Sequence, residues 1–340
     1  MGASGLILRR GMYLFLLLIA VLVPQVVTSR YILQILIICY IFAVATSSLN
    51  LLLGYTGQVS LAHAGFFAIG AYGVAIMTTR SGLNFWWALL LAAAVSALVG
   101  FLVGIPMLRT RGSYFAIASL CFGVIVGIVA GSWSSFTGGY LGILGVPLPS
   151  PLNLPGIGAL GFQSKAAQYY LALALLLLTL FGMHRLVNSP LGLSFMAVRN
   201  NELLAGAVGI NTFAVKLLSF TVASFFAGLA GGLYASFMRT VSPEVASIHL
   251  MFNWVVYLLL GGAGTLAGPV VGTLAITALT EVTQSFKDDS LLVFGALLVV
   301  AMIYCPRGLV GAWEALQRRA GAPLKRLKRY GQVGVRDAQG

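Results

Sequence analysis

The stretch YILQILIICYIFAVATSSLNLLLGYTG, residues 31–57, decides the class of fold. Its first 23 residues, Tyr31–Leu53, contain no charged side chain. About 20 mostly apolar residues are enough for a helix to cross a bilayer. The run then meets two glycines, in LLLGYTG, and glycine is tolerated in a span where the freed backbone groups find other partners. The stretch therefore predicts a membrane span that ends in a backbone break.

Similar apolar runs recur along the chain. Hydrophobic residues make up 59% of the sequence and charged residues 8%, against about 25% charged in an ordinary globular domain. We predict an all-α polytopic membrane protein with about ten transmembrane or partial-membrane helices, the first of them an uncleaved span rather than a signal peptide. The predicted spans are Met12–Thr28, Tyr31–Leu53, Gly57–Thr79, Phe85–Leu108, Gly112–Ser132, Ala166–His184, Thr212–Phe237, Leu250–Leu260, Thr265–Ser285 and Leu291–Tyr304.

The distribution of positive charge predicts the orientation. With both termini in the cytoplasm, 15 of the 20 Lys and Arg residues fall on the cytoplasmic side, as the positive-inside rule requires. We expect a transmembrane domain at 1–311, with an outer loop at 133–168 and a cytoplasmic loop at 185–211. A basic cytoplasmic tail follows at 312–340. The net charge of +13 is explained by anionic lipid head groups beside these segments, and nucleic-acid binding is not needed.

The sequence lacks the residue patterns that most enzymes use for catalysis. The first acidic residue is Glu202, so the preceding 201 residues hold no carboxylate pair. The three cysteines are isolated in apolar segments, where free cysteine packs as a small hydrophobe. The phosphate-binding pattern GxxxxGK[ST] is absent. We expect no catalytic residue, metal or cofactor, and any energy from ATP must come from another subunit.

Glu281 is the only carboxylate inside a predicted span. It lies about one helical turn from the predicted outer end, near Lys287, Asp288 and Asp289. Two interpretations remain open: a carboxylate solvated at the interface, or one that couples an ion to transport.

Two glycine interruptions predict a transport pathway. Leu51–Gly57 and Leu258–Gly264 share the pattern LLLGxxG, and paired interruptions in membrane segments point to a binding site lined by freed backbone groups. Polar side chains follow the first interruption, and polar groups within a span usually face a cavity or a neighbouring helix. For His63 a structural hydrogen bond, a pathway lining and proton chemistry are all considered. The predicted pathway residues are Gly54, Tyr55, Gly57, Gln58, Ser60, His63, Gly261, Gly262 and Gly264.

The stretch NSPLGLSFMAVRNNELLAGAVGIN, residues 188–211, predicts a short cytoplasmic helix pair. Ser189 is placed to cap a helix with Pro190 in its first position. Apolar residues recur at helical spacing, a polar break follows at Arg199–Glu202, and Gly209 ends the second helix. Such a pair either docks in a groove of a soluble partner or lies on the lipid surface.

Several of these motifs, in order, resemble one family, the inner-membrane permeases of branched-chain amino acid ABC importers, and the LivM type more than the shorter LivH type. The resemblance covers roughly Ile41 to Trp313. It rests on SLNLLLGYTGQVSLAHAGFFAIGAY, RGSYFAIASLCFGVIV, SPLGLSFMAVRNNELLAGAVGIN, KLLSFTVASFFAGLAGGLYA, VSPE and LLLGGAGTLAGPVVG.

The resemblance implies the partners and the coupling residues. It implies two ATP-binding subunits, a second LivH-like permease, an external substrate-binding protein and a bacterial inner membrane. The substrate would be a branched-chain amino acid, or urea, a short amide or an aromatic acid. The family's coupling loop corresponds to Arg199–Gly209, and the chain departs from the usual loop at Asn200 and Gly206, and from the usual outer loop at Leu141. The implied coupling residues are Arg199, Asn200, Glu202, Leu203, Ala205 and Gly209.

Two rival functions are weighed against this one. A stand-alone secondary transporter or channel would be expected to carry intramembrane carboxylates for coupling ions, and Glu281 alone argues against it. A membrane scaffold without transport would not need the paired glycine breaks.

Overall fold

The computed structural model describes residues 18–27, 29–110, 112–154, 158–284, 295 and 308–311. Residues 12–17 of the first predicted span, nearly all of the last predicted span and the basic tail at 312–340 lie outside the described residues.

The described chain is a bundle of apolar helices. The larger helices are α1 (residues 18–26), α2 (Arg30–Asn50), α3 (His63–Thr79), α4 (Phe85–Met107), α5 (Ser113–Ser132), α7 (Lys165–Val187), α10 (Thr212–Met238), α11 (Ile248–Gly261) and α12 (Gly268–Gln284). Short helices are α6 (Ser134–Thr137), α8 (Pro190–Asn200) and α9 (Glu202–Ala207). A π-helical turn, Leu51–Thr56, extends α2, and 3₁₀ turns occupy Gly139–Leu141 and Pro243–Ala246.

Five of these helices are long and apolar enough to cross a membrane: Arg30–Thr56, Phe85–Met107, Ser113–Ser132, Lys165–Val187 and Thr212–Met238. Three shorter apolar helices accompany them: His63–Thr79, Ile248–Gly261 and Gly268–Val282. The structure thus supports the predicted all-α polytopic class. The predicted number of about ten spans stays a prediction.

One predicted span is shorter than expected. The prediction began it at Gly57, but α3 begins at His63, and the segment between them is not helical. Gln58 and Ser60 therefore lie in an irregular connection and not within a span. The error arises because hydropathy registers the apolar composition of this connection but not the backbone break at Gly57.

Helices α2 and α10 form the centre of the bundle. In the most apolar 18-residue stretch of each helix, the buried share is 67% for α2 with its π-helical turn and 61% for α10. The buried share is only 39% for α4, 28% for α5 and 33% for α7. The three peripheral helices therefore present broad apolar faces outward, where lipid or another membrane protein contacts them.

Small residues set the close approach of α10 to its neighbours. A Cβ atom added to Gly70 of α3 would lie 2.5 Å from the Cα atom of Gly228 on α10. A Cβ atom at Gly228 would also lie 2.6 Å from the Cβ atom of Ser96 on α4. Helices in lipid gain little from the hydrophobic effect and rely on such close packing. Gly228 therefore lets α10 approach both α3 and α4 closely.

Four short strands join the connections at one end of the bundle. Strand β1 (Ile143–Leu144) pairs antiparallel with β4 (Thr240–Val241), and β2 (Leu152–Leu154) pairs with β3 (Gly158–Leu160). The first pair links the predicted outer loop at 133–168 to the connection between α10 and α11. Arg80 donates a hydrogen bond to the Ser135 carbonyl at 2.9 Å and so belongs to the same end.

Candidate functional site

The first glycine break is a π-helical turn that leaves one carbonyl to a distant side chain. The turn Leu51–Thr56 ends at Gly57, whose φ of +74° favours glycine. The Gln58 N–H, which would bond to the Gly54 carbonyl in a continued α-helix, bonds to the Leu52 carbonyl at 2.9 Å. The Gly54 carbonyl accepts from the guanidinium of Arg199 instead. π-helical turns inside helices occur frequently at functional sites.

The second glycine break is a turn between two short helices. Helix α11 ends at Gly261, and Gly262 and Gly264 follow with φ of +119° and +80°. The Thr265 hydroxyl donates to the Gly262 carbonyl at 2.8 Å and accepts from the Gly268 N–H at 3.0 Å. This turn reverses the chain into α12.

The two breaks meet, and Asn50 joins them. The Gly264 N–H donates to Oδ1 of Asn50 at 2.8 Å, and Nδ2 of Asn50 donates to the Thr265 carbonyl at 2.7 Å. Because one partner is a donor and the other an acceptor, only one orientation of the amide satisfies both. A Cβ atom at Gly54 would lie 2.5 Å from the Gly264 nitrogen and would also overlap the Asn50 amide. The sequence predicted two corresponding breaks, and the structure places them in contact.

Arg199 of α8 lies against both breaks. A Cβ atom at Gly57 would lie 2.9 Å from Cγ of Arg199, and one at Gly264 would lie 2.8 Å from a terminal guanidinium nitrogen. With the bond to the Gly54 carbonyl, this arginine contacts three predicted pathway residues. Predicted pathway and predicted coupling loop therefore form one junction, which we call the glycine junction: Asn50, Gly54, Gly57, Arg199, Gly264 and Thr265.

The polar residues after the first break are buried and largely without partners. Ser60 and His63 are fully buried and Gln58 is 9% exposed. Among the described residues, neither amide atom of Gln58 reaches a hydrogen-bond partner, and the ring of His63 lies against the Ser48 backbone. Ser60 Oγ accepts a long bond of 3.4 Å from the Ala62 N–H. A buried polar group without a partner costs about 1–3 kcal/mol, so these three side chains have unused capacity for a ligand. The Ser48 backbone is the available partner for the structural hydrogen bond considered for His63.

The connection between Gly57 and α3, which contains Gln58 and Ser60, packs against α5. The Leu61 N–H donates to Ser119 Oγ at 2.8 Å, and a Cβ atom at Gly123 would lie 3.5 Å from the Leu61 carbonyl. Tyr55, the remaining predicted pathway residue of the first break, is buried at 8% exposure. Gly261 is buried where α11 crosses α12, and a Cβ atom there would lie 3.0 Å from the Gly272 nitrogen.

The predicted helix pair is present. Helix α8 starts with Pro190 in its first turn after Ser189, as predicted, but the Ser189 hydroxyl donates to the Leu186 carbonyl and does not cap the helix. Asn201 separates α8 from α9 and accepts hydrogen bonds from two backbone N–H groups at 3.0 and 3.1 Å. The chain turns away at Gly209, where φ is +88°.

The residues of the helix pair divide into an inward and an outward set. Glu202 bonds to Lys216 of α10 at 2.6 Å, and Ala205 is 3% exposed. Outward, Leu203, Leu204 and Val208 are 74%, 64% and 76% exposed. Asn200 is exposed as well. Glu202, which was expected to contact a partner subunit, is thus paired with a residue of its own chain. The outer surface of the helix pair is formed by apolar side chains instead.

Glu281 lies near a helix end, as one interpretation predicted. Its carboxylate accepts a hydrogen bond of 2.6 Å from the hydroxyl of Tyr31, in the first turn of α2, and the contact is exposed. This environment fits interfacial solvation. Lys287, Asp288 and Asp289 lie outside the described residues. Among the residues that were described, no three His, Cys, Asp or Glu side chains cluster to hold a metal ion.

Two residues of this region were missed by the sequence prediction. Asn50 is 3% exposed and Lys216 is 8% exposed. Each is a polar residue within a predicted span, a position that usually carries a specific partner. That signal was available at Asn50, four residues before Gly54, and at Lys216, four residues into α10.

The comparisons with known proteins agree with these features. The profile of the family described as "Branched-chain amino acid transport system / permease component" matches residues 31–302. The high-affinity branched-chain amino acid transport system permease protein LivM of Salmonella typhimurium is 32% identical over 324 residues, which cover 90% of this chain and 76% of that protein. The LivM protein of Escherichia coli has the same identity and coverage. The LivH permease protein of Escherichia coli is 25% identical over 295 residues, 80% of this chain and 92% of that protein.

No solved structure gave a significant match. The family match spans most of the chain, including all residues of the glycine junction and of the helix pair. The relatives are transport permease subunits and not enzymes, and the bundle supplies several apolar helices of membrane-spanning length. The chain belongs to the family of branched-chain amino acid transport system permease components and is a multi-pass membrane protein.

Proposed function

We propose that this chain is the permease subunit of an ATP-driven ABC importer for branched-chain amino acids or a related small polar solute. Two separate ATP-binding subunits supply the energy, since the sequence has no GxxxxGK[ST] motif of its own. A second, LivH-like permease and an external substrate-binding protein complete the complex. It lies in a bacterial inner membrane with both termini and the basic tail at 312–340 in the cytoplasm.

The observation that carries the proposal is the exposed apolar surface of the helix pair. Leu203, Leu204 and Val208 project outward at 64–76% exposure, next to α8. Exposed apolar residues on an amphipathic helix fit a hydrophobic groove on a soluble partner. Because this surface belongs to the predicted coupling loop, we assign it to the ATP-binding subunit. An interfacial helix lying on lipid is the alternative.

The transport pathway is proposed to pass the first glycine break. Gln58, Ser60 and His63 are buried polar side chains with unused hydrogen-bonding capacity. None of the three carries a fixed charge, which suits a solute without net charge, such as a zwitterionic amino acid, urea or a short amide. An aromatic acid would need a cation that this segment does not supply.

A stand-alone secondary transporter or channel is less well supported. Such a protein normally uses intramembrane carboxylates to bind coupling ions, and Glu281 bonds to Tyr31 in an exposed contact. We therefore retain the ATP-driven importer.

A surface substitution tests the docking assignment. In Leu203→Asp/Leu204→Asp the apolar surface becomes charged, and we expect the ATP-binding subunits to be lost from the purified complex while the permease still inserts. Leu141→Asp is the matched control, because Leu141 is 84% exposed at the opposite end of the bundle. Unchanged recovery of the ATP-binding subunits with the double variant would show that the helix pair is not the docking surface.

Glu202→Arg tests the same loop from within. The substitution places a cation against Lys216, which is 8% exposed, and breaking a buried ion pair costs up to about 3–5 kcal/mol. Partial exposure of Glu202 lowers this figure. We expect loss of ATP-binding subunits, or ATP hydrolysis that the loaded binding protein no longer stimulates. The charge swap Glu202→Lys with Lys216→Glu should restore both. Full, stimulated transport by Glu202→Arg alone would contradict the coupling role.

Single-cysteine labelling tests the orientation. In a background without the native cysteines, Ser150→Cys should react with a membrane-impermeant reagent from outside, and Asn201→Cys only from inside. Ser150 is hydrogen-bonded to Asn84 at one end of the bundle, and Asn201 caps α9 at the other. Labelling of both from the same side would overturn the topology and the coupling assignment together.

A further inference from the structure

Arg199 of α8 is exposed, yet its side chain reaches the two glycine breaks. It belongs to the loop assigned to the ATP-binding subunit, yet its guanidinium donates to the Gly54 carbonyl and lies beside Gly264. The aliphatic part of the side chain packs on Gly57. One side chain of α8 therefore contacts the extension of α2 and the turn between α11 and α12.

Asn50 makes the second connection within the glycine junction. It is 3% exposed and fastens the end of α2 to the second break through bonds of 2.8 and 2.7 Å. The two breaks are therefore tied to each other by Asn50, and both are tied to α8 by Arg199. The positions facing these side chains are glycines because a Cβ atom at Gly54, Gly57 or Gly264 would occupy the same space.

We propose that Arg199 is a positioning residue that transmits movement of the helix pair to the two glycine breaks. A hydrogen bond from a charged donor is stronger than a neutral one. It therefore holds the Gly54 carbonyl to α8 when α8 moves. Through Asn50 the same movement reaches Gly264 and the start of α12. The inference rests on the proposed function, and it assigns Arg199 an inward role that differs from docking.

The role predicts a specific separation of activities. In Arg199→Gln the exposed apolar surface of α9 is unchanged, so the ATP-binding subunits should be recovered as in wild type. Loss of the charged donor should reduce substrate uptake per ATP hydrolysed by about tenfold or more, the factor that corresponds to about 1.4 kcal/mol in a coupling equilibrium. Arg109→Gln is the control, because Arg109 is an exposed arginine at the end of α4 and its loss removes the same charge.

The experiment uses the reconstituted complex of permeases, ATP-binding subunits and binding protein, with leucine as the transported probe. Recovery of the ATP-binding subunits, ATP hydrolysis and uptake are measured on the same preparation. Reduced uptake with normal recovery and continuing hydrolysis is the expected result. Loss of the ATP-binding subunits would make Arg199 a docking residue and overturn the inference while leaving the proposed function intact. Failure of the wild-type chain to bind ATP-binding subunits at all would instead refute the proposed function.

A double-mutant cycle keeps the test decisive if uptake is lost for a structural reason. In Gly264→Ala the added methyl group would lie 2.8 Å from the guanidinium nitrogen and displace it. If the contact transmits movement, the effects of Arg199→Gln and Gly264→Ala on uptake per ATP should not add, since either change breaks the same contact. Additive effects, or wild-type coupling in Arg199→Gln, would overturn the inference.

Discussion

The two segments with the pattern LLLGxxG have the same spacing of glycines but different backbones. At Leu51–Gly57 the helix continues as a π-helical turn and breaks only at Gly57. At Leu258–Gly264 the helix stops at Gly261 and a turn leads into α12. The first presents a carbonyl, from Gly54, and the second presents an N–H, from Gly264. The same pattern thus supplies an acceptor on one side of the glycine junction and a donor on the other.

The comparison also separates two uses of glycine. Gly54 is needed because its neighbours leave no room for a side chain, whereas a Cβ atom at Gly206 of α9 would meet nothing within 4 Å. Close approach between the breaks, and not flexibility, is therefore what the first glycine supplies. This distinction decides which substitutions should matter.

Gly54→Ala should have the largest effect. The methyl group would overlap the Asn50 amide and lie 2.5 Å from the Gly264 nitrogen, and overpacking of this kind costs about 1–3 kcal/mol. We expect uptake to fall to background, with lower recovery of the folded complex. Gly206→Ala should transport like wild type. If Gly54→Ala also transports normally, the breaks do not need to meet.

Asn50→Leu should rank second. It leaves the Gly264 N–H and the Thr265 carbonyl without their partner, at about 1–3 kcal/mol for each buried group. The thermal midpoint of the purified complex should fall and uptake should decrease severalfold. Asn253→Leu is the control, because the Asn253 side chain bonds to His249 in an exposed contact. Equal midpoints for the two variants would mean that Asn50 does not join the breaks.

Ser60→Leu tests the polar segment that follows the first break. No corresponding segment after the second break belongs to the predicted pathway. The fully buried hydroxyl would be replaced by a bulky apolar group, and we expect uptake to fall by about tenfold while the complex assembles. Val59→Leu, at a residue 50% exposed, should have little effect. Wild-type uptake by Ser60→Leu would show that Gln58, Ser60 and His63 only pack.

His63→Gln should have the smallest effect. The amide retains hydrogen-bonding capacity at a fully buried position, where His63 has no acidic partner within the described residues. We expect uptake within about twofold of wild type, less than 0.5 kcal/mol, and an unchanged dependence of uptake on pH. A shifted pH profile would favour proton chemistry at this residue.

Helix ends were predicted well where a capping or charged side chain marks them, and poorly where only the backbone geometry changes. The span predicted at Phe85–Leu108 is observed at Phe85–Met107, because an asparagine cap precedes it and a basic residue follows it. The span predicted from Gly57 begins at His63, because the break depends on backbone geometry that apolar composition does not reveal.

The candidate site was predicted in part. The two breaks and the helix pair were identified from glycine spacing and helical periodicity, but their contact was not, because it joins residues more than 140 positions apart through Arg199. Glu202 was expected to face a partner, because the family resemblance places it in the coupling loop. The structure gives it Lys216, 14 residues later, on the next helix.

The bonds of Asn50 have a consequence for synthesis of the chain. Its partners Gly264 and Thr265 are 214 and 215 residues further along, which takes a ribosome roughly 10–40 s at about 5–20 residues per second. During that interval α2 holds a side-chain amide whose final partners do not yet exist. A chain truncated before α11 lacks both of these partners, so Asn50 can join the two breaks only after α11 and the turn that follows it have been made.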